Sequence, residues 1–286
     1  MKYAVIDVGS NSVRLMFHDG VKTLEKRVKT TRLAEAMGIE RRLQTVAMDR
    51  TISAISVFLE QAKLENVDEI FIFATAAVRK ATNQKEFLGK LKEKVGVDAQ
   101  VVSGETEAKL GYMGALNGKD GGIIDVGGAS TEITVVKNGK QIYTESLDLG
   151  AVSLKDACGQ DGERVLDFVE RKIKEYGIVP SAEFYAIGGT ATTVAAMIME
   201  MEVYDPNRVD GFVVERSDLE RLTEKLFALS VENRKKLKGL QPERAEVIAG
   251  GTQILLSIMK MLKIEKFYVS EKDNLEGYLM LKRGLK

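Results

Sequence analysis

The sequence predicts a two-lobed α/β fold built by internal duplication. Three observations predict it: a strand–loop–strand unit that occurs twice, an alternation of strand-patterned and helix-patterned segments along the chain, and a polar, glycine-rich break between the copies. The first copy reads Val5-Ile6-Asp7-Val8-Gly9-Ser10-Asn11-Ser12 and the second Ile123-Ile124-Asp125-Val126-Gly127-Gly128-Ala129-Ser130-Thr131. Asp7 aligns with Asp125, Val8 with Val126, Gly9 with Gly127 and Ser12 with Ser130, at a constant separation of 118 residues. Each copy continues into a second β-patterned run closed by a turn signal, Asp19-Gly20 in one and Asn138-Gly139 in the other. Such dipeptides supply the positive φ angles of a tight two-residue hairpin. Repetition of a whole unit implies a duplicated architecture. Each loop is small and rich in hydroxyls, a device suited to gripping phosphate, and two such loops imply a cleft holding a phosphorylated substrate between two lobes.

The other elements follow in order. Val46, Ile52, Ile55 and Leu59 recur at helical spacing and predict a helix over 43–64. The β-branched and aromatic run at 69–74 predicts a buried strand. Asn83 followed by Glu86 has the form of a capping box, and Gly96 would end the helix it opens. A short strand at 99–102 and a helix at 104–116 lead to the break at 117–122, which divides the chain into lobes 1–118 and 119–286. In the second lobe, Phe184-Tyr185-Ala186-Ile187 is a strand running into Gly188-Gly189-Thr190. Ser217 with Glu220 opens a helix ending near Leu229, 248–262 forms an amphipathic helix, and 267–270 is a last strand before a terminal helix at 274–285. This alternation is that of α/β lobes with mixed sheets.

Composition narrows the class. A chain of 286 residues is long for one core, and 44 % hydrophobic with 29 % charged residues belongs to a soluble globular protein. Basic and acidic residues balance at 42 each, so no global field recruits nucleic acid or an acidic membrane. An anionic substrate must be caught by local chemistry. Cys158 is the single cysteine, which excludes an intrachain disulfide, and no Cys/His cluster could hold zinc. The few apolar residues before Asp7 are too short for a signal peptide and no run is long enough to span a membrane, so a cytoplasmic location is expected. His18 near a turn and the basic run Arg234-Lys235-Lys236 with Lys238 read as surface, the latter as a solvated helix face.

Five blocks now stand in a recognisable order: Asp7-Val8-Gly9-Ser10-Asn11-Ser12, Thr75-Ala76-Ala77-Val78-Arg79, Ser103-Gly104-Glu105-Thr106-Glu107-Ala108, Asp125-Val126-Gly127-Gly128-Ala129-Ser130-Thr131-Glu132 and Gly188-Gly189-Thr190. Together they resemble the Ppx/GppA family of exopolyphosphatases and guanosine pentaphosphate phosphohydrolases, and the resemblance continues through Arg244-Ala245-Glu246-Val247-Ile248 and Ser270-Glu271-Lys272-Asp273. It implies an actin/hexokinase/Hsp70-like fold, a duplicated ribonuclease H-like architecture in which the terminal helix crosses back to pack on lobe one. It also implies a Mg²⁺-dependent hydrolase, with Mn²⁺ as a substitute metal, acting on inorganic polyphosphate or guanosine pentaphosphate, and a homodimer as the expected assembly.

The chemistry explains the blocks. Hydrolysis of a phosphoanhydride needs charge neutralisation at the transferred phosphoryl group, a divalent metal and an oriented water. Gly9, Ser10, Asn11 and Ser12, with Gly127, Gly128, Ser130 and Thr131, can turn backbone N–H groups and hydroxyls toward phosphate oxygens, and Gly188, Gly189 and Thr190 join them. Asp7 and Asp125 are hard oxygen ligands suited to Mg²⁺ through coordinated waters. The resemblance makes Glu107 the general base, gives Glu132 a part in placing metal or water, and makes Arg79 a phosphate-contacting cation. Ordinary alternatives exist: Glu107 in a helix's first turn complements the macrodipole, Asp7 and Asp125 could form turns, and Arg79 beside Lys80 could be solvated surface. The chain departs from the family pattern where Ala129 replaces a third glycine and Ser153 an arginine, and it resembles the short members that lack a helical extension. A kinase or nucleotide-sensing module on the same fold is the competing class, although no Walker A loop is present.

Overall fold

In a computed structural model, residues 1–37 and 40–284 are described. The chain forms two compact units, the first comprising Met1–Leu110 with the segment from Asn274, the second Gly111–Asp273. The first unit carries β1 (Tyr3–Val8), β2 (Ser12–His18), β3 (Thr23–Thr30), α1 (Thr45–Leu64), β4 (Glu69–Ala74), α2 (Ala76–Lys80), α3 (Gln84–Val95), β5 (Gln100–Val101) and the start of α4 (Gly104–Leu116). The expected division at 118/119 follows the break in composition, whereas the units divide inside α4. In the second unit follow β6 (Gly121–Val126), β7 (Thr131–Lys137), β8 (Lys140–Leu147), α5 (Ala151–Cys158), α6 (Gly162–Lys172), β9 (Phe184–Ile187), α7 (Gly188–Ile198) and α8 (Pro206–Val209). Then come β10 (Val213–Glu215), α9 (Arg216–Ala228), α10 (Val231–Arg234), α11 (Ile248–Leu262) and β11 (Lys266–Val269), and α12 (Asn274–Arg283) completes the first unit.

The two sheets repeat one topology. The first runs β3-β2-β1-β4-β5 and the second β8-β7-β6-β9-β11-β10. In each, three antiparallel strands come first, and parallel strands reached by helical crossovers follow from the innermost; the second sheet adds β10, antiparallel to β11. The register repeats with the sequence offset: Asp7 faces Arg14 and Val8 faces Val13, as Asp125 faces Glu132 and Val126 faces Thr131. This is the duplicated ribonuclease H-like arrangement that the sequence implied. β1 is buried along its whole length because both faces of the sheet are covered.

Residues of α12 explain its docking on the first sheet. Tyr278 stacks on Phe73 with ring centroids 4.4 Å apart and donates its hydroxyl to Gln100 at 2.8 Å. Buried Glu276 accepts from Thr23 at 2.8 Å and pairs with Lys26 on β3 at 2.9 Å. A Cβ at position 277 would overlap the main chain of Leu110, so glycine lets α12 and α4 meet backbone to backbone. The expected helical residue Leu285 lies outside the described residues.

Several local expectations change. Asn138 and Gly139 both have positive φ and make the expected two-residue turn, held by Asp120, whose carboxylate accepts both their N–H groups. Asp19-Gly20 instead belongs to a four-residue connection, because Asp19 Oδ1 accepts from the N–H groups of Val21 and Lys22 and opens the turn. The capping box at Asn83 does not form: its side chain brackets the backbone of Leu43, accepting from its N–H at 2.9 Å and donating to its carbonyl at 3.1 Å. Neither does Ser217 cap α9, which starts one residue earlier after Glu215. α11 is buried on nearly every side and forms the centre of the second unit's core, so it is not amphipathic. Arg234, read as solvated surface, is 1 % exposed and donates to the carbonyls of Leu226 and Ala245 and to Gln160. Cys158 is buried, and His18, read as surface, is half-buried, its Nδ1 accepting from the N–H of Gly20 at 2.9 Å.

Candidate active site

The residues singled out from sequence gather at the carboxyl ends of the parallel strands in each unit, where α/β sheets open to ligands. In the first unit, residues 9–12 follow β1, Arg79 lies on α2 after β4, and Glu107 lies in the first turn of α4 after β5. In the second, residues 127–130 follow β6, Gly188-Gly189-Thr190 open α7 after β9, and Ser270-Glu271 follow β11.

The paired loops share one geometry. The N–H of Gly9 donates to the carbonyl of Ser12 at 3.1 Å, and that of Gly127 to the carbonyl of Ser130 at 2.9 Å. At these two glycines a Cβ would press on the same carbonyl, at 2.9 and 3.1 Å respectively. Behind each loop, backbone amides draw its carbonyls inward. Thr31 and Arg32 donate to Asn11 and Ala34 to Ser10; Ala151 donates to Gly127, and Val152 and Ser153 to Gly128. A trans peptide points its N–H opposite to its C=O. Pulling the Ser10 and Gly128 carbonyls backwards therefore turns the N–H groups of Asn11 and Ala129 forwards, as an anion-binding nest requires. Gly150 permits this in the second copy, since a Cβ there would overlap the Gly128 and Ala129 backbone. Ala129 has no positive φ, so the methyl that departs from the family pattern is accommodated without backbone strain. Ser153, the other departure, closes the first turn of α5: its hydroxyl accepts from the N–H of Gly150 at 3.0 Å.

The duplication inverts charge at one position. Asp7 is met on β2 by Arg14, whose Nη2 and Nε donate to Oδ2 at 2.5 and 3.0 Å. Asp125 is met by Glu132, a second carboxylate directly opposite. Ser146 donates to Glu132 Oε1 at 2.6 Å and fixes its orientation. Burial, with Glu132 nearby, pushes the Tyr176 hydroxyl well above its ordinary range, keeping it a neutral donor to the Thr131 carbonyl at 2.7 Å. Two opposed carboxylates suit a hard cation. Among the described residues no group of three His, Cys, Asp or Glu side chains could hold a metal. Paired carboxylate oxygens are the hard donors that Mg²⁺ prefers.

Not every predicted residue faces outward. Thr131 is fully buried and donates to the Leu149 carbonyl, and Thr190 donates to the Val126 carbonyl at 2.9 Å. Both hydroxyls hold the loops in place. Gly188, at φ +79°, makes room for Asp125, whose Oδ1 lies 2.8 Å from where its Cβ would be. Gly189 lies against the Arg244 guanidinium, where any side chain would overlap it. In the first unit Arg79 Nη1 pairs with Glu107 Oε2 at 2.6 Å and also donates to the Val102 carbonyl at 3.1 Å. The expected base and the expected phosphate cation thus bind each other.

Sequence reasoning missed Arg14, Arg244, Tyr204 and Glu271. Applying the 118-residue offset to Glu132 would have found Arg14. Tyr204 donates its hydroxyl to Glu271 near Arg244, and burial first, then Glu271, pushes that hydroxyl far above its ordinary range. Arg244 and Glu271 stand in blocks that matched the family without a role attached, and no local pattern points to Tyr204.

Residues 12–283 match the Ppx/GppA phosphatase family. An enzyme named exopolyphosphatase 2 from Mycobacterium tuberculosis is 26 % identical and covers 99 % of both chains. A guanosine-5'-triphosphate,3'-diphosphate pyrophosphatase from Aeromonas salmonicida is 30 % identical over 97 % of this chain. The chain spans 58 % of that relative and 46 % of a bifunctional 3-dehydroquinate synthase/phosphatase from Fusobacterium nucleatum. Among solved structures, the Aquifex aeolicus Ppx-GppA enzyme superposes with a TM-score of 0.79 at 29 % identity, covering 98 % of this chain and 99 % of that one. No helix among the described residues is long and apolar enough to cross a membrane. The loops, the strand-end carboxylates and these likenesses converge: the chain belongs to the Ppx/GppA phosphatase family, a family of phosphoanhydride hydrolases.

Proposed function

We propose that the protein is a Mg²⁺-dependent exopolyphosphatase that releases terminal orthophosphate from inorganic polyphosphate. The observation that carries the reading is the pair of loops, each with its carbonyls drawn inward by amides behind it, which turns backbone N–H groups the opposite way, where an anion would bind. The full-length likeness to the Mycobacterium enzyme supports the same substrate. Asp125 and Glu132 in the second unit, and Asp7 in the first, are the carboxylates that would bind Mg²⁺. The metal would neutralise charge on the phosphate oxygens. Residues 9–12 in the first unit, and residues 127–130 with Gly188 and Gly189 in the second, would each bind phosphate oxygens, and Arg79 would meet oxygens of the terminal phosphate. Glu107 would take a proton from water as the water oxygen attacks terminal phosphorus, the bridging P–O bond breaking with its electron pair leaving on the shortened chain. A cytoplasmic location and a homodimer belong to the same proposal.

The likeness to the Aeromonas pyrophosphatase favours a second reading, conversion of guanosine pentaphosphate to tetraphosphate by the same groups. A kinase would need a bound acceptor hydroxyl in place of water. Phosphate release from short polyphosphate, long polyphosphate and guanosine pentaphosphate, with Mg²⁺ and after chelation, tests the proposal. It expects Mg²⁺-dependent release that is fastest on polyphosphate. Faster turnover of guanosine pentaphosphate would select the second reading, and release from none of the three would end both.

A further inference from the structure

The Arg79–Glu107 pair poses a problem for catalysis. A carboxylate held at 2.6 Å by a guanidinium is a poor proton acceptor, and a guanidinium committed to a carboxylate is a poor phosphate ligand. We propose that Arg79 is an exchangeable clamp. Without substrate it holds Glu107; a terminal phosphate draws the guanidinium and loosens its hold on the carboxylate that accepts the proton of water. This rests on the reading of Glu107 as the water-activating base.

The geometry supports exchange over a fixed ion pair. Both N–H groups of Nη1 are committed, one to Glu107 and one to the Val102 carbonyl at 3.1 Å. Nε and Nη2 make no hydrogen bond among the described residues. That edge is the one a phosphate can engage with two parallel bonds. A Cβ at Gly104 would stand 3.8 Å from Nη2, in ordinary van der Waals contact, so Gly104 lies beside that edge. The Val102 bond is to backbone and does not depend on ligand, so it anchors the arginine while the carboxylate moves. Glu107 is 8 % exposed, and the pair is shielded enough for the competition between anions to matter. Phosphate charge on the free edge neutralises the guanidinium and weakens its hold on Glu107. The base is then armed only when a phosphate is present. In the step that follows, the water O–H proton passes to Glu107, the oxygen bonds to phosphorus, and the bridging oxygen leaves with the electron pair.

Tripolyphosphate binding to the full chain, followed by calorimetry with Mg²⁺, tests the clamp apart from turnover. Glu107→Gln replaces a charged competitor for Arg79 with a neutral one, so it should tighten tripolyphosphate binding by roughly five- to tenfold. The same change in an Arg79→Met background should give no gain. An equal gain in both backgrounds would reduce the effect to lost repulsion and overturn the proposal. So would unchanged affinity in Glu107→Gln, or no binding by the wild-type chain. Unfolding midpoints close to wild type establish that the variants are folded, and Glu107→Ala repeats the comparison if Glu107→Gln is not. A gain through Arg79 without phosphate release from any substrate would keep the clamp and remove the hydrolase reading; release without the gain would do the reverse.

Discussion

The ion pair between Asp7 and Arg14 makes a quantitative prediction. Removing the arginine with Arg14→Met leaves Asp7 charged and nearly enclosed: the side chains are 5 % and 18 % exposed, with the closest N–O distance 2.5 Å. An exposed pair would contribute about 0–1 kcal/mol, whereas orphaning one partner of a buried pair costs about 3–5 kcal/mol. Arg14 retains some solvent contact, which places Arg14→Met at about 2–4 kcal/mol. Asp7→Asn, which keeps an oxygen acceptor, should cost less, about 1–3 kcal/mol. In the double variant Asp7→Asn/Arg14→Met neither member of the pair is charged, and its cost should be below the sum of the singles by about 1–2 kcal/mol. Urea unfolding of the four proteins measures this coupling. At about 2–4 °C per kcal/mol for a chain of this size, Arg14→Met should also lower Tm by roughly 5–15 °C. Additive costs, or an Arg14→Met effect under about 0.5 kcal/mol, would refute the view that Asp7 and Arg14 neutralise each other within the first copy.

Three further outcomes are expected. Gly150→Ala should cost about 1–3 kcal/mol and slow phosphate release by displacing the second loop, whereas Gly89→Ala on α3, with nothing within 4 Å of the new methyl, should stabilise by about 0.5–1 kcal/mol; thermal unfolding compares them. The amides of Asn138 and Gly139 hold the Asp120 carboxyl below its usual range, so its stabilising contribution is present above the ordinary aspartate range and lost as pH falls through the lowered value. Asp120→Ala should therefore lower Tm at neutral pH and progressively less in acid, and a constant difference would contradict the sign. Burial raises the Cys158 thiol above its ordinary value, so the folded protein should react slowly with a thiol reagent at neutral pH and readily in urea, and fast reaction when folded would contradict that burial.

What could be read from sequence was what lies close together in it or repeats. The two loops, the strand at 69–74 and the helix at 104–116 carry local signals, and the structure has them at those positions. Asn138-Gly139 fixed its turn because φ preference is a property of the dipeptide. Asn83 and Asp19 misled because a polar side chain chooses among partners: Asn83 took the distant backbone of Leu43, which depends on tertiary placement, and Asp19 took the amides of Val21 and Lys22 in its own turn. Arg234 looked like surface because charge alone does not reveal three acceptors brought together from Leu226, Gln160 and Ala245. Gly277 against Leu110 and Arg244 against Gly189 are contacts across long stretches of chain, with no local signature. The pairing of Arg79 with Glu107 joins two residues that the sequence singled out separately and never as partners.

The central claim, that Glu107 is the base of a phosphoanhydride hydrolase, is tested most directly by the turnover of Glu107→Gln on polyphosphate with Mg²⁺. The variant keeps the shape of the side chain and loses the proton acceptor. Phosphate release should fall by roughly 10²–10⁴-fold, the usual contribution of acid–base catalysis, with the unfolding midpoint nearly unchanged. If Glu107 only complements the start of α4, the same change should cost a few tenths to about 1 kcal/mol of stability and leave turnover intact. Near-normal phosphate release from both polyphosphate and guanosine pentaphosphate would contradict the account.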